Sequence, residues 1–334
     1  MDIKALVNTP ISLLEYYLIR KKTPLIVSFV CTYRCNQKCK YCDWDKQSCN
    51  QMSTGRAVEL IEQIGRSGTL KLGFSGGECL VHEGIDQLLE CSSRSGLVTS
   101  ISTNGREVPK HIDAIGKYVD ILHVSMDGPP EIHDRMRGKG SYKMVIEAIK
   151  AAQEAGVKVV TNTVLSSETV NQMPYIVDLA KKMNFNVLFQ PVFNYNLSAD
   201  QATIDSYKPE REKLKKTIEY LINEKKKGGP IGNSFALLRY MSEKWPNGRL
   251  KRCFAGCLFA TLAPDGRVMP CLFVEGDGNW PNAAELGFNE AFQLSEGREI
   301  VSNCRGCYCS AYIEASMIFK LNPWACFNAL TMLS

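Results

Sequence analysis

From residue 25 to residue 193 the chain alternates short apolar, β-branched runs with segments of helical period, and it does so six times. The strand candidates are PLIVSFV (24–30), LKLGF (70–74), VTSIS (98–102), ILHVSM (121–126), VKVVTNTV (157–164) and NVLFQPV (186–192). Between them Ala57, Leu60, Ile61 and Ile64 form one helical stripe behind an N-capping Ser53, and Ile176, Leu179, Ala180 and Met183 form another. Strands separated by helices need crossover connections. These are right-handed and make the sheet parallel. The expected fold class is therefore α/β, with the six strands either open or curled into a partial (β/α)6, TIM-like barrel. Polar residues gather just after the strands, at Gly76-Gly77-Glu78, Ser102–Gly105 and Met126-Asp127-Gly128. Parallel α/β folds place their sites at those carboxyl ends.

The rest of the chain is organised around that repeat. Residues 208–227 read as a polar helix with a thin stripe of Leu214, Ile218, Leu221 and Ile222, stopped by Gly228, Gly229 and Pro230. Beyond it, LFATLAPDGRVMPCLF (258–273) reads as a hairpin around a Pro-Asp-Gly turn. The expected division is an N-terminal helix (1–24), a core (25–195), a helical linker (196–250) and a small cysteine-rich extension of β-hairpin and helix (251–334). Residues 12–22 (ISLLEYYLIRK) suit a helix packed on the domain; a peripheral contact with a membrane surface is the alternative. No run of 18 apolar residues predicts a transmembrane segment, and no secretory signal is evident. A cytoplasmic, reducing setting follows. Net charge is only +5, and no basic stretch is interleaved with aromatics, so a nucleic-acid partner is not expected.

The 14 cysteines fall in two clumps, seven between Cys31 and Cys91 and seven between Cys253 and Cys326, with none from 92 to 252. A disulfide scaffold would spread them, so two thiol-based sites are the better reading. Directly after the first strand, CTYRCNQKCKYC places Cys35, Cys39 and Cys42 as C-x3-C-x2-C. Three soft ligands on one loop suit an iron–sulfur cluster, or zinc if Cys31 or Cys49 completes the set. Cys79, after Glu78, reads either as a spare thiol near the site or as a small core residue.

This spacing, with Tyr41 before its last cysteine, resembles the radical S-adenosylmethionine (SAM) superfamily. The resemblance extends to Gly76-Gly77-Glu78 after the second strand, Ser102–Gly105 after the third, Ser125–Gly128 after the fourth, and HDRMRG (133–138). It implies a [4Fe–4S] cluster on Cys35, Cys39 and Cys42 whose open iron is chelated by SAM, and a barrel around them. Tyr41, Gly76, Gly77, Glu78, Ser102, Asn104, Ser125, Asp127 and Arg137 are the implied SAM-binding residues. It further implies reductive cleavage to a 5′-deoxyadenosyl radical that takes hydrogen from an unactivated C–H bond, with a one-electron donor such as flavodoxin or ferredoxin as partner.

In the second clump, Cys253, Gly266 and Cys271 followed by Cys304 and Cys307 resemble the twitch region, the short form of the SPASM extension. That implies an auxiliary [4Fe–4S] cluster on Cys253, Cys271, Cys304 and Cys307, with Cys257 as an alternative ligand and Cys309 and Cys326 outside the set. A two-cluster SPASM pattern would need a cysteine where Ile313 stands, so one auxiliary cluster is expected. The functional expectation is oxidation, dehydrogenation or coupling of a peptide or small-metabolite substrate, the auxiliary cluster relaying an electron. A redox-neutral epimerase with Cys79 or Cys309 as hydrogen donor is the alternative, and a non-enzymatic iron–sulfur or zinc protein a remote one.

Overall fold

The computed structural model describes residues 3–193, 200–246, 248, 250, 253–273, 279–295, 304 and 309–333. The six expected strands are present as β1 (Ile26–Thr32), β2 (Lys71–Gly76), β3 (Val98–Thr103), β4 (Ile121–Ser125), β5 (Lys158–Leu165) and β6 (Asn186–Pro191). They pair in parallel in sequence order, β6-β5-β4-β3-β2-β1, with no reversal of strand order. An arc wound in one direction curls into a partial barrel, because its helices all lie on the same outer face.

Burial follows the pleat. Leu72, Phe74, Leu122 and Val124 are buried outward beneath the helices, while Ser28, Gly73, Ser102 and His123 alternate with buried neighbours on the accessible inner face. The outer helices form where periodicity placed them. Thr54–Arg66 begins behind Ser53, whose side chain accepts from the Arg56 N–H, and buries Ala57, Leu60, Ile61 and Ile64.

The expected hairpin is also present, as β7 (Phe259–Leu262) and β8 (Val268–Met269). It continues the core sheet: β7 pairs in parallel with β1, Ile26 opposite Phe259. The sheet therefore runs across the 195 and 250 boundaries read from composition. The polar helix spans Arg211–Lys226. The N-terminal helix spans Ile3–Ile19, so the basic end read at residues 20–22 lies just outside it.

The helix Ser310–Phe319 bridges the open side of the barrel. Its Ser310 N–H donates to Gln190 Oε1 of β6 at 3.0 Å. Two residues on, the Tyr312 hydroxyl donates to Ser28 Oγ of β1 at 3.3 Å and lies 3.2 Å from Thr261 Oγ1 of β7.

Candidate radical and auxiliary thiol sites

The loop bearing Cys35, Cys39 and Cys42 leaves β1 at Thr32 and is held against the end of β2 by backbone. The Gly77 N–H donates to the Thr32 carbonyl at 3.0 Å and the Glu78 N–H to the Arg34 carbonyl at 2.9 Å. A β-carbon at Gly77 would stand 2.4 Å from the Tyr33 and Arg34 oxygens, and one at Gly76, where φ is +140°, would stand 2.2 Å from the Thr32 oxygen. Only glycine permits that approach.

The three thiols differ in setting but feel one another. Burial pushes Cys35 up to about 11 and Cys42 up to about 12, with Cys39 adding to both shifts. Burial also raises Cys39, opposed by the Arg137 guanidinium, whose Nη1 lies 4.0 Å from its sulfur. Thiols this reluctant to ionise become thiolates when a metal takes the place of the proton. Among the described residues no three His, Cys, Asp or Glu side chains already converge on a metal-holding point. The donor set nonetheless fits an iron–sulfur cluster: three thiols on one loop, with no neighbouring fourth. Cys31 is buried in the core and donates to the Ser75 carbonyl at 3.5 Å, while Cys49 lies toward Asp265 and Arg267 of the hairpin turn. A closed tetrahedral zinc set is not assembled here.

Tyr41, Asp127 and Arg137, far apart in sequence, meet behind the loop. Asp127 Oδ2 accepts from the Tyr41 hydroxyl at 2.5 Å and from Arg137 Nε at 2.6 Å, and Oδ1 accepts from the Val164 N–H at 3.1 Å. Burial alone would raise this carboxyl, but the Arg137 charge, His133 and the two side-chain hydrogen bonds hold it below the usual carboxylate range. The Arg137 guanidinium also sits over the Tyr41 ring, 5.6 Å from its centre. The fully buried Asp127 thus couples the ends of β4 and β5 to the cluster loop, and leaves guanidinium N–H groups of Arg137 for another acceptor.

Glu78 is a latch. It is 1% exposed; Oε2 accepts from the Asn104 N–H at 2.7 Å and Oε1 from the Leu80 N–H at 3.2 Å. Burial pushes it up to about 7 against those bonds. Asn104 donates to Asn36 Oδ1 at 2.8 Å, and Asn36 donates to Glu107 at 2.8 Å. Asn36, and His133, whose Nδ1 accepts from the Asp127 N–H at 3.2 Å, support the site although the sequence singles out neither individually; His133 opens the HDRMRG segment. Ser102 and Ser125 stand accessible on the inner face without such bonds. Cys79 is 0% exposed, its thiol directed to the Ser102 carbonyl at 3.5 Å. That enclosure favours the core reading of Cys79 over the spare-thiol one.

Cys253 is raised by burial first, with Cys304 among the charges acting on it, and Cys253 in turn acts on Cys309. Cys271 and Cys309 both act on Tyr312, which lies between barrel and extension. Cys309, read from sequence as outside the ligand set, is the N-cap residue of Ser310–Phe319. Cys257 and Cys271 are both buried in one apolar cluster with Leu25, Phe254 and Phe259, and Cys253 and Cys309 pack against it. Cys307 lies outside the described residues.

Comparison with known proteins agrees with this geometry. Residues 29–180 match the Radical SAM superfamily. The chain is 26% identical over 286 residues to the mycofactocin maturase MftC of Mycolicibacterium smegmatis, covering 82% of this chain and 71% of that protein. It is 31% identical over 171 residues to the Fe-coproporphyrin III synthase of Methanosarcina barkeri, covering 49% of this chain and 42% of that one. The crystal structure of Streptococcus suis SuiB bound to S-adenosylmethionine superposes with a TM-score of 0.70 at 17% identity, covering 94% of this chain and 79% of SuiB.

Proposed function

We propose that the chain, whose residues 29–180 match the Radical SAM superfamily, is a radical SAM enzyme that removes hydrogen from a peptide substrate in the barrel, with net oxidation or coupling. The observation that carries the reading is the thiol loop, pinned by Gly76 and Gly77 and backed by Tyr41, Asp127 and Arg137 at the strand ends. A [4Fe–4S] cluster with SAM supplies, when bound, a carbon-centred radical able to attack an unactivated C–H bond.

The chain's own residues do the rest. Cys35, Cys39 and Cys42 would hold the cluster. Arg137, its charge balanced by Asp127, offers its free N–H groups to the SAM carboxylate. Ser102 and Ser125 would contact the SAM ribose, and the Gly76-Gly77 backbone would receive its amino group. The inner face and the bridging helix Ser310–Phe319 exclude water from the substrate. Cys253, Cys271, Cys304 and Cys307 would hold an auxiliary cluster able to take an electron from the substrate, with Cys257, buried in the same apolar cluster as Cys271, a competitor for one position. A one-electron carrier such as flavodoxin or ferredoxin would charge the first cluster.

Peptide is preferred as substrate because MftC is a maturase and SuiB has been crystallised with its precursor peptide SuiA. A small-metabolite reading draws on the synthase of Methanosarcina barkeri, whose match spans only about half of this chain. Burial of Cys79 weighs against it as donor in the epimerase alternative, which leaves Cys309 as the candidate.

Anaerobic reconstitution tests the assignment. About eight irons per chain, with 5′-deoxyadenosine released on reduction with SAM, is expected; about four irons would remove the auxiliary cluster. Cys35→Ala, Cys39→Ala and Cys42→Ala should each abolish SAM cleavage. Cys271→Ala should lose about four irons while Cys309→Ala retains them, and iron loss in Cys253→Ala or Cys257→Ala identifies which of these two is a ligand. Transfer of deuterium from a labelled precursor peptide into 5′-deoxyadenosine would establish the substrate class, and transfer only from a small metabolite would refute it.

A further inference from the structure

Eleven large apolar side chains are exposed among the described residues, and nine of them lie on the N-terminal helix, the last helix Pro323–Leu333 and the turn before it. Single exposed apolar residues are ordinary, but a grouped set marks a surface that meets something other than water. Both helices are turned the wrong way for an aqueous face. In the last helix the polar Asn328 points inward, donating to the Gly232 carbonyl at 2.8 Å and accepting from Lys225 Nζ at 2.8 Å. Its outer face shows Trp324, Phe327 and Leu330, which are 52%, 65% and 56% exposed. No residue of this helix is charged.

The N-terminal helix behaves likewise. Leu13 and Tyr16 pack inward, the Tyr16 ring centre 5.6 Å from that of Phe254, while Ile11, Leu14 and Leu18 form an outward stripe. The N-terminal helix meets the chain just before the turn into the last helix, where the Tyr17 hydroxyl donates to the Phe319 carbonyl at 3.0 Å. At that junction the chain places Arg20, Lys21, Lys22 and Lys320, with Glu15 as the nearby acid. Glu15 is already paired with Lys21 at 2.9 Å.

An apolar, aromatic-bearing face with a basic rim matches the interfacial region of a bilayer, where apolar side chains enter the acyl boundary and cations meet anionic headgroups. No described helix is long and apolar enough to cross a membrane. We propose that this two-helix face rests on the surface of a membrane containing anionic lipid.

The test uses the reconstituted full chain and vesicles of phosphatidylcholine with or without phosphatidylglycerol. The protein should sediment with the phosphatidylglycerol vesicles, less so in high salt, and only weakly with phosphatidylcholine alone. Trp324 fluorescence should shift to the blue on binding, and Trp324→Phe should remove the shift. The double variant Leu18→Glu, Phe327→Glu should bind at least tenfold more weakly while cleaving SAM at the unaltered rate, which shows that it is folded. Absence of vesicle binding by the wild-type chain would overturn the proposal. So would a dimer, seen by sedimentation velocity and dispersed by the same double variant, since the face would then be a contact between two copies.

Discussion

A β-carbon added to Gly77 collides with two carbonyl oxygens of the thiol loop at once, and neither oxygen belongs to a side chain that can swing away. Gly77→Ala should therefore push the loop from the end of β2 and scatter the three thiols. Bound iron is expected to fall from about eight to about four per chain with SAM cleavage lost, while far-ultraviolet circular dichroism stays unchanged. Retention of all the iron would show that the loop does not depend on this approach. The glycines were visible in the sequence, as was the cysteine spacing, because in each case one short segment holds the pattern. What spacing could not show is that Gly76 and Gly77 support the loop as well as border the expected SAM site. Nor could it show that Asn104 reaches Asn36 across 68 positions to brace the same loop. Those contacts exist only once β1, β2 and β3 lie side by side.

At the level of elements, helices packed on one side only were legible from period, and the helix Ser310–Phe319 was not. Both of its sides are enclosed, with Tyr312 and Ile313 toward the barrel and Phe319 beside Phe254. An all-round buried helix has no stripe to read. Enclosure also explains Glu314, whose Oε1 is buried without a partner, and whose carboxyl burial pushes up to about 7 against the Ser234 bonds and the Lys225 charge. The folded chain keeps this proton up to about pH 7, whereas the unfolded chain releases it near 4.5. The folded state therefore binds more protons across that window, and this group's contribution to stability declines as pH rises through it. Glu314→Gln should flatten that decline and leave the protein relatively more stable near about pH 8 than the wild type. Thermal unfolding of the two proteins at about pH 5 and about pH 8 measures the difference. Parallel slopes would mean that Glu314 is ionised throughout.

For the molecule as a whole, the cysteine-free stretch between the two clumps holds β3 to β6, while β7 from the extension returns to close the other edge of β1. That return was hidden in the sequence for two reasons. The partners Ile26 and Phe259 are remote in the chain, and all four residues of β7 are buried, so its run does not alternate. Because β1 also begins the thiol loop, the extension supports the radical site through the sheet, apart from any cluster it holds. A fragment ending at residue 250 would expose the hydrogen-bonding edge of β1 and uncover Leu13, Tyr16 and Leu25, which pack with Phe254, Phe259 and Phe319. Each buried aromatic withdrawn removes roughly 1.5–3 kcal/mol of burial, a large share of the stability of any domain. The fragment should aggregate on size-exclusion chromatography and yield no 5′-deoxyadenosine, although its three loop cysteines are intact. The full-length double variant Cys253→Ala, Cys304→Ala should remain soluble and still cleave SAM, since it lacks ligands but keeps β7. If instead the fragment is soluble and active, β1 holds its loop without its outer neighbour and the extension serves only its own cluster.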